Sequence, residues 1–141
     1  MATVFTRIIG GELPATFVWR DERCVGFMSI NPLAHGHVLV VPTLEVDQWI
    51  DASADLVAHL FEVTRVIGVA LRQAFDCARV GVIVAGYEVP HAHIHVVPTE
   101  TMDQLLFTNA AAAVPAEELE AAAAAIRAEL RALGRAEVTD R

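Results

Sequence analysis

The spacing of hydrophobic residues along the chain predicts five short strands and a short first helix. TVFTRIIGG predicts a helix capped by Thr3 and ended by Gly10 and Gly11. TFVWRDERCVGFMSI has two apolar runs around the polar turn RDE, which is typical of a β-hairpin. HVLVVP reads as a buried strand closed by Pro42. RVGVIVAG indicates a fourth strand, and HAHIHVVP indicates a fifth.

Two longer helices are predicted from apolar residues that recur at spacings of three and four. The first runs from Ser53 to Phe75, about six turns, with Ser53 or Asp51 as its cap. The second begins with Pro115 at a first-turn position and ends near Gly134. The stretch TMDQLLFTNAAAAV between the fifth strand and the last helix matches no regular pattern.

This order of elements predicts one α+β domain. We expect a five-stranded, mostly antiparallel sheet with a long central helix and a C-terminal helix. A chain of 141 residues is long enough to bury a sizeable core. We assign residues 1–110 to the main domain, and residues 111–141 to a helical extension that packs on the same domain.

Composition and charge limit which partners and which cellular compartment we expect for this protein. The net charge of -8 disfavours nonspecific binding to nucleic acid or to an anionic membrane. All ten basic residues are arginine, which excludes lysine chemistry such as Schiff bases and P-loops. No apolar run approaches the ~18 residues of a membrane span. The N-terminus lacks the apolar stretch of a signal peptide, and the two isolated cysteines do not indicate a disulfide framework. We therefore expect a cytoplasmic protein.

Three histidines alternate with small or apolar residues in HAHIHVVP. On a strand His91, His93 and His95 would share one face, opposite Ala92, Ile94 and Val96. They could be ordinary polar residues on the solvent side of an edge strand. They could also bind zinc or iron, with His37 or Glu88 as a further ligand.

A third interpretation is nucleophilic catalysis. A neutral imidazole can attack phosphorus if one ring nitrogen is free and a hydrogen bond to the other fixes the tautomer. Histidines two residues away would then contact the phosphate oxygens or protonate the leaving group. Spacing alone does not separate this chemistry from metal binding.

Other motifs favour catalysis. HAHIHVV fits the pattern His-x-His-x-His followed by two apolar residues that names the histidine triad family. GELP, the turn INPLA, the strand GHVLVVP and the lead-in GYEVPH also resemble that family, in the family's order. The resemblance covers roughly residues 3 to 98.

The resemblance implies an antiparallel five-stranded sheet, a homodimer whose sheets join, and chemistry at the α-phosphate of a nucleotide conjugate. By position, His93 resembles the nucleophile and His95 a phosphate contact. His91 resembles a member of the orienting network, and His37 a fourth family histidine that reaches the same pocket.

The resemblance also implies where the substrate binds. The nucleotide is expected to contact Ser29, Ile30, Asn31, Tyr87 and Val89. No cofactor and no catalytic metal are implied. Two further histidines lie outside the motif: we interpret His35 as a residue of the pocket rim or as solvated, and His59 as a surface residue of the long helix.

Several positions depart from the family pattern. Ser29 stands where an acidic residue commonly contacts the ribose hydroxyls, and Tyr87 stands where glutamine is usual. Glu88, if it faced a phosphate, would repel it. Thr3 and Thr6 stand where some bacterial members have a zinc-binding CxxC, so we predict no structural zinc.

These observations lead to one main functional hypothesis and two alternatives. The main hypothesis is a nucleotide hydrolase or transferase acting through a covalent nucleotidyl-histidine on a nucleoside phosphoramidate or a dinucleoside polyphosphate, with a purine nucleotide as ligand. One alternative is a nucleotide-binding regulatory module with weak or no catalysis. The other is a metal protein with histidine ligands.

Overall fold

The computed structural model describes residues 2–141, and these residues contain five strands and three α-helices. The strands and helices, in chain order, are α1 Val4–Ile9, β1 Phe17–Arg20, β2 Cys24–Met28, β3 Val38–Pro42, α2 Ala54–Phe75, β4 Arg79–Ile83, β5 Ile94–Thr99 and α3 Ala116–Ala132. The five strands form one sheet in the order β1-β2-β3-β5-β4, and every neighbouring pair is antiparallel. The predicted α+β fold is confirmed.

The two long helices cover one face of the sheet. Of the two predicted caps, Ser53 and Asp51, it is Ser53 that caps α2, because its hydroxyl accepts the main-chain N–H of Leu56. Ile67 of α2 is fully buried, and a Cβ atom built on Gly26 would lie only 3.2 Å from its Cδ1 atom. Glycine in β2 therefore lets α2 lie close to the sheet.

The last helix shares this core. Ile126 and Leu130 of α3 are fully buried and belong to the same cluster as the α2 side chains. Truncation of such a side chain typically costs about 2–5 kcal/mol of unfolding free energy. The helix begins at Ala116 with Pro115 as its N-cap, one position later than the sequence suggested. The boundary between residues 110 and 111 stays a prediction.

The opposite face of the sheet is covered by α1 and contains a smaller apolar cluster. Phe5 of α1 packs edge-on against Phe27 of β2, with ring centroids 5.7 Å apart. Thr3 caps α1 by accepting the N–H of Thr6, as its position predicted. This second face also carries the histidines.

The histidine segment differs from the prediction in one respect. β5 begins at Ile94, so His91 and His93 precede the strand and only His95 lies within it. β5 also lies between β3 and β4, and all three imidazoles are buried. The interpretation of the histidines as solvated residues on an edge strand is therefore wrong.

The stretch without a regular pattern folds into two short 3-10 helices, Met102–Leu105 and Phe107–Asn109. They follow β5 and bring Phe107 over the histidine face, with its ring 5.0 Å from that of His95. Among the described residues, no helix has both the length and the apolar character needed to cross a membrane.

Candidate active site

His37 and His95 form a hydrogen-bonded pair at the centre of the sheet. His95 lies opposite Leu39 of β3 and Ile83 of β4. His37 comes just before β3, and its Nε2 lies 3.0 Å from Nδ1 of His95. The residue before it, Gly36, has φ of +98° and lies against the Phe75 ring, where a Cβ atom would clash at 2.5 Å. Glycine is therefore required in HGH.

A main-chain amide fixes the proton positions of this pair. Leu33 N–H donates to Nδ1 of His37 over 3.0 Å, so this nitrogen carries no proton. Neutral His37 must then carry its proton on Nε2 and donate it to Nδ1 of His95. As a result, His95 keeps its own proton on Nε2, the nitrogen left for the cavity.

His93 has the opposite tautomer to His95, with its proton on Nδ1. Its Nδ1 lies 2.7 Å from the main-chain carbonyl oxygen of His91, which can only accept a hydrogen bond. Nδ1 therefore carries the proton, and Nε2 has a free lone pair. The rings of His93 and His95 are 4.9 Å apart, centroid to centroid. A nucleophilic nitrogen and an N–H donor thus lie side by side.

His91 lies behind this pair. Its Nε2 donates to the carbonyl oxygen of Pro42 over 2.8 Å, and its Nδ1 accepts from the hydroxyl of Thr3 over 2.7 Å. The side chain is fully buried, and both ring nitrogens are occupied. The structure thus brings His37, His93 and His95 together, while His91 supports them without lining the cavity.

Burial keeps the three central imidazoles neutral. Desolvation, with a smaller contribution from the neighbouring His95, lowers the pKa of His37 to about 3. Desolvation and the nearby His93 lower the pKa of His95 to about 4. The pKa of His93 is also lowered, again mainly by burial. At neutral pH the site therefore presents uncharged rings.

A cavity of about 600 Å³ opens on one side of His93 and His95. Its walls include four of the predicted substrate contacts, namely Ser29, Ile30, Asn31 and Val89. Three apolar side chains of α1, those of Val4, Phe5 and Ile8, also line it. The Asn31 side-chain amide donates to the carbonyl oxygen of Ala111 over 3.2 Å, so it holds the segment before α3.

A smaller cavity of about 110 Å³ adjoins the larger one, and both are lined by His93, His95, Glu88 and Phe107. Tyr87 also lines the smaller cavity. Tyr87 is 97% exposed and has no side-chain hydrogen bond among the described residues. Glu88 faces the site, where its charge acts on His93. The large and small cavities therefore meet at the imidazoles.

Sequence reasoning missed three contributors to this site. Phe107 lies in a stretch without periodicity, and no local signal marks it. Phe5 packs its ring 4.9 Å from that of His93, whereas the sequence predicted only that this segment is a helix. Thr3 was recognised as a helix cap, but its bond to His91 joins positions 88 residues apart.

The remaining predicted histidines lie outside the site. His35 is exposed and packs edge-on against Phe75 at 5.3 Å. His59 is only partly exposed, because its Nε2 lies 2.9 Å from an oxygen of Asp21. His59, Asp21 and Cys24 form a group of potential metal ligands among the described residues. The Asp21 carboxylate there already accepts hydrogen bonds from Trp19, His59 and two main-chain amides.

The residues at the start of α1 do not fit a zinc site. Zinc in proteins is bound by thiolate, imidazole or carboxylate groups, and Thr3 and Thr6 offer only neutral hydroxyls. Both hydroxyls are already hydrogen-bonded, Thr3 to His91 and Thr6 to Glu45. The triad itself also lacks a converging set of nitrogens, because the rings point to different partners.

Comparison with known proteins identifies the family. A family model described as "HIT domain" matches residues 10–102. The chain belongs to the histidine triad, or HIT, family. An uncharacterised HIT-like protein from Methanocaldococcus jannaschii is 34% identical over 99 residues, which is 67% of this chain and 77% of that protein. The adenylylsulfatase HINT3 of Arabidopsis thaliana is 31% identical over 107 residues, covering 72% of this chain and 54% of that one.

Solved HIT structures share the fold over nearly the whole chain. A zinc-bound histidine triad family protein from Mycobacterium smegmatis has a TM-score of 0.82 at 28% identity, covering 95% of this chain and 96% of that one. A HIT-like protein from Bartonella henselae has a TM-score of 0.80 at 27% identity, covering 90% and 95%. HIT proteins generally bind or hydrolyse nucleotides, which supports a nucleotide ligand here.

The neutral histidines predict that stability falls in mild acid. An unfolded histidine takes up a proton near pH 6.5, whereas folded His95 does so only near 4 and His37 near 3. Below pH 6.5 the unfolded state therefore binds more protons, and the unfolding free energy decreases down to about pH 4. Urea titrations between pH 7 and 4 measure this slope. His95→Gln should flatten it, and an equal slope in that variant would contradict the assignment.

Proposed function

We propose that this protein is a cytoplasmic nucleotide hydrolase or transferase that forms a covalent nucleotidyl-histidine on His93. The observation that carries the proposal is the pairing of opposite tautomers: Nε2 of His93 has a lone pair, and the adjacent Nε2 of His95 carries a proton. Such a pair suits attack on a phosphorus atom and hydrogen bonding to a phosphate oxygen. We expect the nucleoside to occupy the larger cavity.

The proposed reaction has two displacements at phosphorus. Nε2 of His93 attacks the α-phosphorus, the new P–N bond forms, and the bond to the leaving group breaks. The departing amine or phosphate accepts a hydrogen bond from Nε2–H of His95 and takes its proton from the solvent. Water, or a phosphate acceptor in a transferase, then attacks the phosphorus and releases its proton to the solvent. The P–N bond to His93 breaks, which restores the neutral ring. The His93 Nδ1–H bond to the His91 carbonyl strengthens as the ring becomes positively charged.

The alternative is a nucleotide-binding module without efficient catalysis. The observation that favours it is the composition of the pocket wall, where Ser29 brings no charge to the ribose site and Glu88 places a negative charge beside His93. A nucleotide could then bind without reacting. A covalent adduct on the protein separates this alternative from the enzyme.

His93→Ala tests the covalent mechanism. The variant removes the attacking nitrogen, so we expect turnover of an adenosine phosphoramidate to fall by roughly 10⁴-fold or more, with the fold retained. Mass spectrometry after a rapid quench at neutral or alkaline pH should find the nucleotide on His93 of the unmodified protein. His59→Gln, on α2, is the matched control and should keep full activity. Near-normal turnover by His93→Ala would exclude the mechanism.

We assign the leaving group to the smaller cavity, which favours a compact, uncharged or cationic group. The cavity there holds only about 110 Å³, and Glu88 lines it. No arginine lines either cavity, and the chain has no lysine. Two like charges 4 Å apart repel by about 1 kcal/mol in water and about 4 kcal/mol at an effective dielectric of 20. A polyphosphate chain would meet this repulsion from Glu88.

We therefore expect a phosphoramidate with an ammonium-bearing amine to be cleaved with a kcat/KM roughly tenfold or more above that of a dinucleoside polyphosphate. Relative to its effect on a neutral-amine conjugate, Glu88→Gln should lower kcat/KM for the ammonium-bearing substrate and raise it for the polyphosphate. The measurement is a steady-state comparison of the three substrates with both proteins. An equal change across all three would contradict an effect of the Glu88 charge on the leaving group.

We also propose that the protein is a homodimer joined through β4. This strand is an edge of the sheet, and it carries the exposed Val82 beside the groove formed with Val69 of α2. An open edge can continue the sheet into a second copy. Sedimentation should give about twice the chain mass of 15.2 kDa. Val82→Glu, which puts a charge at that edge, should give the single-chain mass; a dimer that survives this change would place the interface elsewhere.

A further inference from the structure

The nucleophile is not held by the strand hydrogen bonds of the sheet. The pairing of β3 with β5 covers Val40–Ile94, Leu39–His95 and Val38–Val96, and it does not reach His93. The residues just before β5 must therefore be fixed by other contacts. His93 donates to the main-chain oxygen of His91, so the position of His91 decides where His93 points.

His91 is anchored by two different parts of the chain. Its Nε2 donates to the carbonyl oxygen of Pro42 at the end of β3, and its Nδ1 accepts from Thr3 at the start of α1. The next main-chain amide, that of Ala92, donates to the carbonyl oxygen of Val46 over 2.7 Å. Both anchors of the ring are needed to satisfy its nitrogens, because His91 is fully buried.

The Thr3 anchor is itself held by Glu45. One carboxylate oxygen of Glu45 accepts the main-chain N–H of Thr3 over 2.9 Å and the hydroxyl of Thr6 over 2.7 Å. Thr6 N–H in turn donates to the Thr3 hydroxyl. The Thr3 hydroxyl has a single proton, which it donates to the unprotonated Nδ1 of His91. Each donor among Thr3, Thr6 and His91 therefore has a defined acceptor.

We infer that Thr3, Thr6 and Glu45 form a clasp that positions His91 and, through its main-chain carbonyl, the nucleophile His93. The clasp ties α1, a wall of the nucleotide cavity, to the segment that carries the attacking nitrogen. Thr3 and Glu45 are positioning residues, since neither lines the cavity. The inference rests on the proposed function for its kinetic consequence, but its structural part is independent of any substrate.

Thr3→Val keeps the shape of the side chain and removes the hydroxyl. It leaves Nδ1 of His91 without a donor in a buried environment, which disfavours the present ring position. We expect kcat for the phosphoramidate to fall roughly 10- to 100-fold, with KM changed less than threefold, because orientation affects the reacting geometry more than binding. Thr3→Ser restores the hydroxyl and should recover most of the rate. Glu45→Ala should act like Thr3→Val, and Glu45→Gln, which keeps an acceptor, should have a smaller effect.

An activity-independent measurement completes the test. In ¹⁵N-edited NMR spectra without substrate, the Nδ1–H of His93 should give a downfield, slowly exchanging signal in the unmodified protein and in Thr3→Ser. The signal should broaden or disappear in Thr3→Val. Thr99→Val is the matched control. It also removes a buried hydroxyl, which lies at the far end of β5 and donates to the main-chain carbonyl oxygen of Arg79 in β4. This change should alter neither the signal nor kcat.

The outcomes separate the inference from the proposed function. If no nucleotide is turned over but the His93 signal changes in Thr3→Val, the clasp stands and the enzyme assignment fails. If turnover occurs and Thr3→Val keeps both the rate and the His93 signal, the clasp is wrong. A loss of rate that Thr3→Ser does not recover, or one that Thr99→Val reproduces, also overturns it.

Discussion

Main-chain groups assign the proton positions of the site. The Leu33 amide forces the proton of His37 onto Nε2, and the carbonyl oxygens of His91 and Pro42 force those of His93 onto Nδ1 and His91 onto Nε2. A main-chain amide can only donate and a carbonyl can only accept, so these assignments do not depend on a titrating neighbour. The difference between a nucleophilic ring and a donor ring is therefore built into the backbone.

This arrangement works because the sheet is covered on both faces. α2 and α3 bury one face, and α1 with its aromatic partners buries much of the other, where the histidines lie. Burial removes water that would otherwise compete for the ring nitrogens, and it makes the charged form of each ring costly. Rings that stay neutral can act as nucleophile and hydrogen-bond donor, whereas protonated rings would lose the attacking lone pair. At neutral pH the histidines thus present uncharged rings, and Glu88 is the charged group beside them.

Much of the fold could be predicted from local patterns. The five strands, the capped helix from Ser53 and the hairpin follow from the spacing of apolar residues over a few positions. This works because the repeat of a helix or a strand decides which spacings place side chains on one face. Glycine and proline signals were equally local, as Gly10 after α1 and Pro42 at the end of β3 show. The start of β5 did not follow from the local pattern: alternation predicts that His91 and His93 lie in the strand, but they lie in the preceding segment, where tertiary contacts hold them.

By itself the sequence determined the family, the order of the elements and the set of histidines, because each depends on residue type and spacing alone. Only the tertiary structure decided the direction of each ring nitrogen, the burial of His91, the approach of Phe107 and the contact between Thr3 and His91. Several of these features join residues far apart in the chain, such as positions 3 and 91 or 37 and 95. A hydrogen bond depends on distance and angle in space, and those are set only when the sheet and its covering helices pack together.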